Sequence, residues 1–91
     1  MENRENAILT VVGKDDVGIL AKVATAVADA NASVAQVSQI VMGGFFTMNM
    51  HLDVADMNCT IHQLEEKIQA ALPNVEVHVM HENIFTSMHS I

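Results

Sequence analysis

Ninety-one residues, 51% of them hydrophobic, suffice for one domain with a modest core; with three phenylalanines as the only aromatics, that core must be aliphatic and methionine-rich. A net charge of −7, with Arg4, Lys14, Lys22 and Lys67 the only cations, argues against nucleic acid, which needs clustered Lys and Arg, and against anionic membranes. No apolar run approaches a membrane span, and Met1-Glu2-Asn3-Arg4-Glu5 lacks a signal-peptide core. The lone Cys59 excludes an intrachain disulfide, and a cytoplasmic location is expected.

The first element is a short β-rich run over residues 7–13. It leads into Gly13-Lys14-Asp15-Asp16-Val17-Gly18, a turn and a helix N-terminus, where Gly13 lets the chain turn and Asp15 or Asp16 caps the helix. Gly18 is a poor helix former, so its expected merit is close approach of a ligand or a backbone. A helix over residues 17–30 places Ile19, Leu20, Val23, Val27 and Ala30 on one stripe, and Asn31 takes the left-handed position after it.

Residues 33–42 and 45–54 read as two strands joined by Gly43-Gly44, a strong signal for a two-residue hairpin turn. After the polar link Asp56-Met57-Asn58-Cys59, Thr60 and Gln63 have capping-box spacing. Ile61, Leu64, Ile68, Ala71 and Leu72 form a second helical stripe over residues 60–72, and Pro73 stops it. A strand over residues 75–82 and a tail over 83–91 complete a single domain with its core in 7–82. The order β-α-β-β-α-β predicts an α+β, ferredoxin-like sandwich: a four-stranded antiparallel sheet, order 4-1-3-2, with both helices on one face.

Strand alternation assigns the faces. Phe46, Met48, Met50, Leu52 and Val54 meet the helices, with Val37, Gln39 and Val41 beside them. Gln39 is the one polar group on that face, either a satisfied core amide or a ligand contact beneath the first loop. The outer face gathers Ile40, Met42, Phe45 and Met80, with Ile8 and Val12, a patch that calls for self-association or coverage by the tail.

No constellation carries chemistry. His78 and His81 fall on opposite strand faces, His51 and His78 are separated by the first strand, and His62 lacks a second ligand at helical spacing. Met57-Asn58-Cys59 lacks the second cysteine of a copper-chaperone loop, and the first loop lacks the arginine an acylphosphatase needs. Neither a nucleophile with its base nor a phosphate loop is present, so no catalysis, cofactor or metal is expected.

Leu9-Thr10-Val11-Val12-Gly13-Lys14-Asp15-Asp16-Val17-Gly18-Ile19 resembles the opening of an ACT domain: a strand, an Asp, two residues, a Gly and an apolar pair beginning the helix. Val37-Ser38-Gln39-Ile40-Val41, Phe45-Phe46-Thr47-Met48 and the tail Ile84–Ile91 resemble small stand-alone members, relatives of the glycine cleavage system repressor. The resemblance implies a regulatory module that binds a small ligand, often an amino acid, at a subunit interface. Carried onto this chain, its site is Gly13, Asp15, Asp16, Val17, Gly18 and Ile19. Ser33 stands where many amino-acid-binding members have asparagine.

The expected ligand is a small carboxylate-bearing molecule, with the amides of Val17, Gly18 and Ile19 on its carboxylate, Asp15 or Asp16 on an α-ammonium, and Gln39 bonding from the sheet. Two acids beside a simple anion such as phosphate are repulsive, which favours a zwitterion. A homodimer or larger oligomer is expected. The alternative is a protein–protein interaction module whose ligand site is vestigial.

Overall fold

The computed structural model describes residues 5–14 and 17–83. Asp15, Asp16 and the tail from residue 84 lie outside the described residues. Six elements follow in chain order: β1 (Asn6–Lys14), α1 (Ile19–Asp29), β2 (Ser33–Met42), β3 (Phe45–Asp53), α2 (Ile61–Ala71) and β4 (Val75–His81). The strands form one antiparallel sheet in the order β2-β3-β1-β4, which is the expected order read from the other edge.

The hairpin has the predicted register, Met42 opposite Phe45 and Val41 opposite Phe46. Gly43 and Gly44 have φ of 60° and 83°, the two positive angles that a twist-matched two-residue turn requires. Thr60 and Gln63 form the full capping box: the Gln63 N–H donates to Thr60 Oγ1 at 3.0 Å and the Thr60 N–H to Gln63 Oε1 at 2.9 Å. Asn31 sits at φ 61°, as its place after α1 predicts. Its amide donates to the Asp56 carbonyl and that of Asn58 to the Asp29 carbonyl, tying the C-terminal end of α1 to the β3–α2 link.

The core lies between sheet and helices. Leu9 and Val11 of β1, Met48, Met50 and Leu52 of β3, and Val77 and Val79 of β4 meet Val23 and Val27 of α1 and Leu64 and Ile68 of α2. Both helical stripes are narrower than periodicity predicts: Leu20 and Ala71 are exposed. The α1 start differs too. The helix begins at Ile19, two residues later than expected, and the N-cap is Gly18 rather than Asp15 or Asp16.

The larger departure is β2. All ten of its residues are exposed, including Val34 (44%), Val37 (45%) and Val41 (56%), whose partners Leu52, Met50 and Phe46 are buried. A bulge at Ala35, between the Val34 and Gln36 pairings, lets Val34 and Val37 share the helix-side face. The strand alternation predicts that face of β2 to be core. The helices instead pack over β1, β3 and β4, and β2 projects past them as a bare shelf. On the opposite face of the sheet Val12, Ile40, Met42 and Phe45 are exposed as anticipated, whereas Ile8 is 2% exposed and Met80 half-buried.

Candidate functional site

The predicted site gathers where β1 gives way to α1. Gly13 is not a turn residue. It is the penultimate residue of β1, opposite Phe46 on one side and Val75 on the other. Its φ is not positive, and a Cβ there would meet Val75 Cγ1 at 2.7 Å. Its missing side chain therefore serves packing against β4.

Gly18 is the reverse case. A Cβ built on it meets nothing within 4 Å, but φ is 84°, in the left-handed region. Its merit is the dihedral, not the close approach expected of it. The left-handed cap turns the chain so that α1 starts at the sheet end. The Lys22 N–H donates to the Gly18 carbonyl at 3.0 Å, closing the first turn. The amides ahead of that bond are those that a helix cannot satisfy internally, and they carry the positive end of its dipole.

Ile19 buries nearly all of its side chain in the core. Val17 is 93% exposed. Asp15 and Asp16, the expected ammonium partners, lie outside the described residues. Gln39 is exposed, not a core amide, because it belongs to the projecting β2. It pairs with Met48, and Met48 with Val11 of β1. Two strand spacings, roughly 10 Å, separate Gln39 from β1. The structure thus groups Gly13, Gly18 and Ile19 and leaves Gln39 across an open gap, flanked by exposed Val37 and Val41. This shelf was missed in the sequence because β2 alternates like any half-buried strand.

Elsewhere the side chains remain dispersed. His51 pairs with Ile8 and His78 with Thr10, so β1 separates the two histidines. Among the described residues, histidine–carboxylate contacts join His62 to Glu65 and Glu66, and His78 to Glu76. Among the described residues no group of three His, Cys, Asp or Glu is placed to hold a metal, and no helix is long and apolar enough to cross a membrane.

The two sheet edges are treated differently. On β4, the Val79 N–H donates to Glu65 Oε2 at 2.9 Å and the Val77 N–H to Gln69 Oε1 at 3.1 Å. Gln69 Nε2 also donates to the Val75 carbonyl at 2.7 Å. Side chains of α2 thereby occupy the outward backbone groups of this edge. Among the described residues no side chain does the same for β2.

A four-stranded antiparallel sheet with two helices on one face is a ferredoxin-like sandwich, and a glycine-capped helix at the β1 exit is its most distinctive local feature here. Residues 5–82 match the family model for the ACT domain, and the chain belongs to that family. A UPF0237 protein of Clostridium perfringens is 41% identical over 88 residues, covering 94% of this chain and 99% of that protein. An ACT domain protein from Streptococcus pneumoniae superposes with a TM-score of 0.75 at 32% identity, covering 91% of this chain and 96% of the other. A putative glycine cleavage system transcriptional repressor shares the fold, with a TM-score of 0.71 at 18% identity over 48% of its length.

Proposed function

We propose that this chain is a non-catalytic regulatory module that senses a small amino-acid-like ligand at the β1–α1 junction and assembles as a homodimer through β2. One observation carries the reading: β2 is exposed on both faces and along its edge, and its Met42 end lies at the same end of the sheet as the glycine-capped start of α1. A ligand carboxylate on the Gly18 and Ile19 amides satisfies first-turn donors and is favoured by the helix dipole. Asp15 or Asp16 takes the α-ammonium. Gln39 lies two strand spacings from β1, and a second copy paired along β2 places its own Gln39 farther still, so the site closes at the β1–α1 junction without it.

The edge asymmetry supports this assembly. An unpaired strand is a template for another chain, and proteins usually blunt such edges with charge, bulges or cover. Ser33–Met42 carries no charged residue although the chain has a net charge of −7. Antiparallel pairing of two copies at this strand meets no like-charge repulsion. It covers Val34, Val37 and Val41, which a lone chain leaves in water.

A thermal-shift screen of amino acids tests the ligand. A ligand present at 100 times its Kd adds about 2.7 kcal/mol to the folded state. The expected result is a shift with one chemically related group of amino acids, reduced by the Asp15→Asn, Asp16→Asn double variant, which removes the proposed ammonium partners. A flat screen, with the chain already dimeric, favours the alternative of an interaction module with a vestigial site.

A further inference from the structure

A concavity lies on the β4 flank of the α1 start, away from β2. The end of β1, the first turns of α1 and the α2–β4 turn enclose a cavity of about 320 Å³. Its apolar lining includes Ile19, Leu72, Pro73 and Val75. Among the described residues its charged lining is Lys14 and Lys22. These are two of the four cations in a chain of net charge −7, so their meeting at one cavity runs against the overall charge. Both are exposed, and no described carboxylate lies within ion-pair distance of either. Each has a flexible four-carbon stem, long enough for its ammonium to reach a ligand in the cavity.

We infer that this cavity binds a small aliphatic carboxylate that lacks an α-ammonium group. Two ammonium groups attract a carboxylate, and charge-assisted hydrogen bonds are the strong ones. The same two groups repel an α-ammonium placed next to that carboxylate. Ile19, Leu72, Pro73 and Val75 give a short branched or straight carbon skeleton an apolar seat, and the volume sits at the small end of ligand cavities. This cavity adjoins the amino-acid site proposed above and shares Ile19 with it, but its two cations, Lys14 and Lys22, take no part in that site.

The pair isovalerate and L-valine isolates the ammonium, since they differ by that group alone. Isovaleramide removes the charge and inorganic phosphate removes the skeleton. Binding to the full chain is followed by amide chemical shifts at low ionic strength, where charge attraction is least screened. Isovalerate is expected to move the Lys14, Lys22, Leu72, Asn74 and Val75 amides, and to bind more tightly than valine, isovaleramide or phosphate at those amides. Lys14→Gln and Lys22→Gln are each expected to weaken it roughly tenfold, with unchanged melting because both side chains are exposed.

Three results would overturn the inference: no isovalerate shifts at these amides, equal binding by the Lys14→Gln, Lys22→Gln double variant, or phosphate binding as tightly as isovalerate. The two sites fail separately. Loss of isovalerate binding in the double variant with amino-acid binding retained supports both. Isovalerate binding here with a flat amino-acid screen removes only the amino-acid reading.

Discussion

At Gly13 a methyl group would stand 2.7 Å from Val75 Cγ1 and 3.1 Å from its Cα. The second contact is with backbone, so the strand itself must shift. Gly13→Ala is expected to destabilise the fold by about 1–3 kcal/mol, the usual cost of overpacking. Denaturant titration checks it, and adding Val75→Ala should restore part of the loss by removing the nearest atom. At Gly18 space is free and only φ matters. Gly18→Ala is expected to cost ~1–2 kcal/mol and Gly18→Asn clearly less, because asparagine tolerates the left-handed region. The sequence marks both glycines as special without saying why, since a demand for an unusual dihedral and a demand for empty space both select glycine. The N-cap is illegible for a related reason: an acid before a helix is a good cap, but a left-handed glycine after it relocates the helix start.

Elements were legible where one local signal and one distant contact agree. The Gly43-Gly44 turn fixes the β2–β3 register by itself, and the capping box fixes the start of α2, so both were readable from residue types. Thr60→Ala should therefore cost about 1 kcal/mol, read as a lower midpoint with an unchanged slope in urea. The depth of β2 was not readable. Val37 and Val41 alternate like buried residues, but burial depends on where the helices come to rest. Helix placement follows in part from Glu65 and Gln69, which read as ordinary helix-surface polar residues. Their side chains bond the outer edge of β4 and draw α2 toward that side. Gln69→Ala releases the Val77 N–H and the Leu72 and Val75 carbonyls together. Amide exchange at Val77 is expected to accelerate well beyond that at Leu9 or Met50. Equal acceleration across the sheet would mean that Gln69 supports the whole fold rather than this edge.

On the scale of the whole molecule, one closed edge and one open edge make the sheet directional. β4 can accept no further strand without displacing Glu65 and Gln69, whereas β2 offers ten uncharged, exposed residues. Growth of the sheet in one direction only stops at two copies, because an isologous contact uses the same edge on both partners. A closed dimer rather than a filament is the expected assembly. Val37→Lys tests it: the residue lies on the exposed helix-side face, so a lone chain keeps its core while the dimer gains two buried like charges across its contact. The parent is expected to sediment as a dimer and to melt at higher temperature as concentration rises, because association stabilises the folded state by mass action. The variant is expected to sediment as a monomer with a concentration-independent melting temperature and unchanged circular dichroism. A variant that stays dimeric would move the interface to the opposite face, onto Val12, Ile40, Met42 and Phe45, where a lysine at Ile40 should then split the dimer instead.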